Sequence, residues 1–167
     1  MAQVFPGRYT AESNEPMVVF LVGMRVNQLL AVRKWFPAFR AMMPMLNTLF
    51  GNPEKGMLGA HTWVGWRSVM LVQYWRSFDH LERFARDPND PHAAAMREFF
   101  KNVGNDGSVG IWHETYLVEA GAMEAVYNNM PQFGLAAATA HVPVTAGRGR
   151  ARQRLRQAQG EAAAAQV

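Results

Sequence analysis

Two segments of the chain read as β-strands in which both alternating sets of side chains are apolar, and this feature constrains the fold more than any other. The first is Met17–Met24, which follows Pro16, and the second is Ser68–Trp75. Neighbouring residues of a strand point to opposite faces of the sheet, so a sheet built from these strands needs cover on both faces. Helices of the same chain can cover one face. A second subunit's sheet or a bound ligand must then cover the other.

The segment from Gln28 to Phe50 has the spacing of a helix, because its apolar residues recur at three- and four-residue steps. Pro37 and Pro44 cannot donate to the backbone ladder, so the helix is predicted to be kinked or broken into segments. The recurring apolar set is Leu29, Val32, Phe36, Phe39, Met43, Leu46 and Phe50.

The order of the remaining elements identifies a fold class. Further strands are predicted at Met57–Val64 and Val109–Val118, and further helices at Phe78–Arg86 and His92–Val103. The order is βαββαβ with the second helical element split in two, which is the ferredoxin-like α+β pattern of an antiparallel sheet with helices on one face. Because the other face needs cover, we expect a homodimer.

The net charge of +4 lies in the C-terminal part of the chain. Five arginines lie between residues 148 and 156, which leaves 12 Lys and Arg against 12 Asp and Glu in residues 1–147. The body is neutral and its aromatic residues are not interleaved with basic ones, so no nucleic-acid partner is expected. Residues 136–167 have few apolar anchors and are predicted to be a disordered basic, Ala-rich tail behind a folded domain of residues 1–135.

The chain has no cysteine, which excludes disulfides, thiolate nucleophiles and cysteine metal sites. Residues 1–10 show no basic segment followed by an apolar run, and the longest strongly apolar stretch is far shorter than the roughly 20 residues of a spanning helix. We therefore expect a cytoplasmic protein with no membrane span.

Five stretches of the chain resemble a known family when taken together in order. They are FPGRYT (5–10), EPMVVFLVGMRVN (15–27), VQYWRSFDHLERFARD (72–87), VGIWHETY (109–116) and YNNMPQFGL (127–135). Together they resemble a bacterial family grouped with a fungal terpenoid-pathway monooxygenase, within the dimeric α+β barrel superfamily. The resemblance implies that fold and a monooxygenase-like activity in secondary metabolism. The superfamily also includes haem-dependent aldoxime dehydratases, so the resemblance alone does not choose a reaction.

The last predicted strand carries the strongest candidates for chemistry. His113 follows Val109 and Ile111 on one face, whereas Glu114 shares the other with Trp112 and Tyr116. If the His113 face lines the cavity, its imidazole could act as a general base or as an axial haem ligand. If the other face does, Glu114 and Tyr116 form the acid–base pair. The sequence leaves both alternatives open.

Other candidates lie on neighbouring strands. Arg25 and Asn27 follow the first apolar strand and could bind a carbonyl or enolate oxygen of the substrate, or contact the start of the following helix. An aromatic wall, or simply part of the core, is predicted from Tyr74, Trp75, Trp112 and Tyr116.

These residues support three hypotheses. The first is an oxidoreductase that oxidises a small apolar substrate with no evident cofactor, and the second is an aldoxime dehydratase-like haem enzyme with His113 as ligand. The third is a non-catalytic binder of a hydrophobic molecule. The chain has neither a GxGxxG nor a GxxxxGK[ST] loop, no GxSxG elbow and no histidine spacing typical of a metal site, which disfavours nucleotide-dependent, triad and non-haem metal chemistry.

Overall fold

The computed structural model describes residues 2–165, which form two antiparallel sheets and a layer of helices. The strands are β1 (Phe5–Glu12), β2 (Met17–Val26), β3 (Met57–Val64), β4 (Ser68–Trp75), β5 (Val109–Val118), β6 (Tyr127–Met130) and β7 (Ala140–Pro143). The helices are α1 (Val32–Gly51), α2 (Phe78–Arg86), α3 (Pro91–Asn102), α4 (Leu135–Ala138) and α5 (Ala151–Ala164), with a short 3-10 helix at Pro53–Lys55.

The larger sheet has the strand order β3-β4-β2-β5, and the elements that build it follow the order βαββαβ. The α+β ferredoxin-like fold is therefore confirmed. The smaller sheet, in the order β6-β1-β7, was not predicted. It joins β1 to β6, which lies within the predicted domain of residues 1–135, and to β7, which follows that domain.

Helices α1, α2 and α3 pack on one face of the larger sheet, which we call the helix-bearing face. Its largest core cluster contains Val18, Leu49, Trp75, Leu81 and Phe84. In β4 the buried and half-buried residues alternate along the whole strand, as expected when only one face carries helices.

Helix α1 differs from the prediction in two ways. It begins at Val32 rather than Gln28, and it is not broken into segments, because it runs through both Pro37 and Pro44. The apolar set with helical spacing also points outwards, and of its members within α1 only Leu46 is buried. A second apolar set packs against the sheet instead: Trp35, Ala38, Met42, Met45, Leu46 and Leu49.

No helix among residues 2–165 has the length and apolar character needed to cross a membrane.

Residues 136–164 are ordered, in contrast to the predicted disordered tail. Strand β7 pairs with β1, with His141 opposite Ala11. Helix α5 is attached through ion pairs: Arg148 contacts Glu12 and Glu161. The composition of this region suggested solvated arginines, but two of the five pair with acidic residues: Arg148 with Glu12 and Glu161, and Arg154 with Glu124.

Arg154 makes the most buried of these contacts and supplies a test of the ordered C-terminal region. Its side chain is 7% exposed, and its Nε–H donates to Glu124 Oε1 at 2.7 Å. Breaking such charge-assisted bonds costs about 1.5–3 kcal/mol. We expect Arg154→Ala to speed proteolytic removal of α5 by about tenfold or more, measured by limited trypsin digestion. The matched control is Arg152→Ala, because Arg152 is exposed; equal digestion of both variants would contradict the docking of α5.

Candidate functional site

The face of the larger sheet opposite the helices, called here the open face, brings one set of strand residues together. Residues directly opposite in an antiparallel pair share a face. The pairing of β2 with β5 places Arg25 opposite Gly110 and Gly23 opposite Trp112 on the open face. The next two rows place Leu21 opposite Glu114 and Val19 opposite Tyr116.

The structure separates the predicted site residues into three groups. The open face holds five of them: Arg25, Tyr74, Trp112, Glu114 and Tyr116. His113 and Trp75 lie on the helix-bearing face. Asn27 follows the end of β2.

Trp75 is not part of any wall exposed to a ligand, which corrects the sequence prediction. It is fully buried beneath the helices, and its indole Nε1–H donates to Gln73 Oε1 at 2.9 Å. His113 is exposed at the sheet edge beside Phe20, with the ring centroids 5.5 Å apart. Strand alternation is the reason, because Tyr74 and Trp75 are adjacent and so must face opposite ways, as must His113 and Glu114.

Asn27 has a structural role that its position in the sequence did not reveal. Its Nδ2–H donates to the carbonyl of Gly107 at 3.0 Å, and Arg67 Nη2–H donates to the Asn27 carbonyl at 3.0 Å. These bonds join the end of β2 to the loop before β5 and to the β3–β4 hairpin. Arg25, in contrast, is exposed on the open face.

Trp112 forms an aromatic surface in the middle of the open face. A Cβ atom added to Gly23 would lie 2.7 Å from Trp112 Nε1, so the indole rests directly on the glycine backbone. Only glycine permits this close approach. Trp112 remains 38% exposed, so one side of the ring is available to a ligand.

Glu114 and Tyr116 form a hydrogen-bonded pair beside Trp112. The hydroxyl of Tyr116 donates to Glu114 Oε2 at 2.6 Å. This bond raises the pKa of Tyr116, because the carboxylate holds the phenolic proton. Both side chains are exposed. The pair therefore offers a carboxylate that can accept a proton and a phenol that can donate one.

A segment near the C-terminal end, residues 127–138, covers the other half of the open face; we call it the strap. His61 Nε2 accepts a hydrogen bond from the backbone N–H of Gly134 at 2.8 Å. The ring of Phe133 lies over His61, with centroids 4.3 Å apart. Because Nε2 accepts, the imidazole is neutral and its proton is on Nδ1. The strap packs over His61 of β3 and beside Tyr74 of β4, and leaves β2 and β5 open.

Two tyrosine hydroxyls converge on the strap. A Cβ atom added to Gly134 would lie 3.4 Å from the Tyr74 hydroxyl and 3.6 Å from the Tyr127 hydroxyl. Burial raises the pKa of both tyrosines, and for Tyr74 the neighbouring Tyr127 raises it further. Both phenols are therefore neutral, and the Tyr127 hydroxyl accepts a hydrogen bond from the backbone N–H of Ala136 at 3.2 Å.

His61, Tyr127 and Phe133 are site residues that the sequence did not single out. The histidine has no metal-ligand spacing, and the strap is distant from it in the chain. The available signal was the stretch YNNMPQFGL (127–135), which belongs to the family resemblance and lies outside the βαββαβ core.

The residues of the open face do not fit an axial haem ligand. His113 lies on the opposite face of the sheet. His61 lies on the open face, but its Nε2 is engaged by Gly134. We therefore derive no step through haem.

Protonation of His61 should loosen the strap. Burial lowers the pKa of His61 from 6.5, so the folded chain favours the neutral ring. The unfolded chain therefore binds more protons as the pH falls below 6.5, and the stabilisation present above this pH is lost towards the folded-state pKa. In urea unfolding, we expect the midpoint of the native chain to fall more between pH 7 and pH 5 than that of His61→Gln, whose amide oxygen accepts without titrating. Parallel pH curves would contradict this role.

The comparisons with known proteins agree with this architecture. The model of the monooxygenase af470-like family matches residues 17–135. Monooxygenase af470 of Aspergillus fumigatus is 27% identical over 151 residues, covering 77% of this chain and 53% of the fungal protein.

Two solved structures share the fold. A crystal structure of an aldoxime dehydratase in complex with butyraldoxime has a TM-score of 0.67 and 15% identity, and covers 83% of this chain and 43% of that one. Another aldoxime dehydratase has a TM-score of 0.65 and 16% identity, and covers 87% and 45%. This chain thus spans about half the length of the relatives that it matches.

Proposed function

The chain belongs to the monooxygenase af470-like family, and from this premise we propose that it is a monooxygenase that oxidises a small apolar substrate on the open face of its sheet. One observation carries the proposal: Trp112, Glu114 and Tyr116 stand in successive rows of one strand, on the face opposite α1, α2 and α3. The half-buried apolar residues beside them are Val19, Leu21, Met70 and Val72. Such a surface holds an apolar molecule against a few polar groups.

The chemistry suits a substrate with an acidic CH₂ group next to a carbonyl. Glu114 takes one proton from this carbon, and Arg25 stabilises the negative charge on the enolate oxygen. The carbanion reduces O₂ and its carbon bonds to oxygen, which gives a C–OO⁻ group, and this group takes the proton back from Glu114 to become C–OOH. Loss of water then leaves a C=O group, so one oxygen atom enters the product and the other leaves as water. The substrate supplies all the electrons, and no external reductant is needed.

A second copy of the chain would complete the site. In one copy Trp112 is 38% exposed and Tyr116 is 50% exposed, so water reaches the reacting groups. Packing of two open faces in a homodimer would bury these rings and exclude water, which strengthens the electrostatic effect of Arg25 and Glu114. The strap then lies at the edge of the shared cavity.

An oxygen-isotope experiment tests the proposed function. The probe is a hydroxyanthrone, a planar apolar molecule with an activated CH₂ group, incubated with the protein under ¹⁸O₂ and analysed by mass spectrometry. We expect one ¹⁸O atom in the new carbonyl, at a rate above that of heat-denatured protein. Saturable binding of the probe with no enzymatic incorporation would favour a non-catalytic binder and contradict the proposal.

A further inference from the structure

The outward face of helix α1 exposes many apolar residues beside its polar ones, although a helix on a protein surface normally directs polar residues to solvent. The exposed fractions are 46% for Phe36, 56% for Met43 and 58% for Phe50. The other apolar residues exposed on this face are Val32, Pro37, Phe39 and Pro44. The inward face already packs on the sheet, so these apolar residues lack cover in one copy of the chain, and they lie among the exposed polar residues Arg33, Arg40 and Asn47.

The apolar surface continues in front of the helix. Leu30 is 97% exposed and Leu29 is 44% exposed. The indole Nε1–H of Trp35 donates to the Leu29 carbonyl at 3.0 Å and holds this turn on the helix. We call the exposed apolar residues of 29–50 the α1 surface. A helix of 20 residues is about 30 Å long, so the surface is extended rather than a local patch.

A homodimer that pairs the open faces, as proposed above, would leave the α1 surface uncovered. That dimer pairs the open faces, and α1 lies on the opposite side of the sheet with its outward face turned away from it. A different occupant is required.

The charges on the α1 surface indicate what kind of partner covers it. The sequence of α1 contains Arg33, Lys34 and Arg40 but no Asp or Glu. Lys34 is paired with Asp106, whereas Arg33 and Arg40 are exposed and form no ion pair among residues 2–165. Pairing with a second α1 would place four exposed arginines, two from each copy, at an interface where neither helix carries an Asp or Glu to neutralise them. A partner with an anionic surface and an apolar interior can contact both the exposed arginines and the exposed apolar side chains.

We propose that the α1 surface binds the interface of an anionic phospholipid membrane, with the helix axis parallel to the bilayer. Phe36, Phe39 and Met43 insert between the headgroups, and Arg33 and Arg40 contact lipid phosphates. Leu29 and Leu30 insert at the beginning of the helix. The chain lies on the bilayer and does not cross it. This inference does not depend on the proposed oxidation.

Vesicle flotation of the full chain tests the inference. The probes are vesicles of phosphatidylcholine alone and of phosphatidylcholine mixed with phosphatidylglycerol. We expect binding to the mixed vesicles only, weakened by salt. Phe36→Ser with Phe39→Ser should lower binding by about tenfold or more. The control is Leu117→Ser, because Leu117 is 68% exposed but lies on β5.

A second variant keeps the test decisive if the serine substitutions disturb folding. Arg33→Gln with Arg40→Gln removes two exposed charges without touching the core, and should weaken binding by about fivefold for each arginine removed. Failure of the native chain to bind mixed vesicles would overturn the proposal, as would equal binding to neutral ones. If the serine variant instead reduces the oligomer size in sedimentation while vesicle binding stays unchanged, the α1 surface is a protein contact and the proposal is wrong.

Discussion

Glu114→Gln is expected to lower the rate of oxygen consumption with the hydroxyanthrone probe by about 10²–10⁴-fold, because it removes the group that accepts the substrate proton. Probe binding should change little, since glutamine keeps the size of the side chain and can still accept the hydrogen bond from Tyr116. An oxygen electrode measures the rate, and fluorescence titration measures binding.

Two variants of the same strand make this result specific. Thr115→Ser changes a side chain on the helix-bearing face and should leave the rate within about twofold, since it does not meet the substrate. His113→Asn tests the alternative that the sequence left open, in which His113 is the general base. Loss of activity in His113→Asn, with activity kept in Glu114→Gln, would assign the chemistry to the other face and contradict the proposed site.

Trp75→Ala is expected to lower the free energy of unfolding by about 3–5 kcal/mol, because it opens a cavity in the core. Trp75 is 0% exposed and contacts Phe84, with ring centroids 5.9 Å apart. The substitution also leaves the buried amide oxygen of Gln73 without its donor. Urea unfolding followed by circular dichroism measures the loss.

Trp66→Ala is the matched control, because Trp66 is 89% exposed in the β3–β4 hairpin. Its expected effect is within about 0.5 kcal/mol. If Trp75→Ala were equally mild, Trp75 would not lie in the core, and the assignment of the two sheet faces would fail with it.

Three strands of the larger sheet and one of the helices packed on it could be predicted, because short stretches of sequence specify them. Strands β3, β4 and β5 and helix α2 have the predicted bounds. The hydroxyl of Ser77 caps α2 by accepting from the backbone N–H of His80, as serine at this position indicates. Alternation and turn residues within a few positions specify these elements.

The C-terminal region could not be predicted because its stability comes from distant parts of the chain. Strand β7 is only four residues long and pairs with β1. Arg148 forms an ion pair with Glu12, and Arg154 forms one with Glu124. Composition reports the charges but not their partners. The outward face of α1 was misleading for a related reason, because helical spacing identifies an apolar face without saying what it contacts.

The sequence could predict which residues of β5 share a face, but not which of its two faces lies opposite the helices. The sequence placed Glu114 and Tyr116 together and His113 apart from them, since alternation requires it. It could not say which set faces the helices. That depends on the pairing of Val22 with His113, next to the core residues of the helix-bearing face.

Single-cysteine protection tests the central claim most directly, because the native chain has no cysteine and each variant carries one reactive thiol. Tyr116→Cys places that thiol on the open face, and Thr115→Cys places it on the helix-bearing face of the same strand. The rate of labelling by a maleimide is measured with and without saturating hydroxyanthrone. We expect the probe to slow labelling at position 116 by about tenfold and to leave position 115 unchanged, since a bound ligand shields the face that it occupies. Protection at position 115 alone, or at neither position, would contradict a substrate site on the open face.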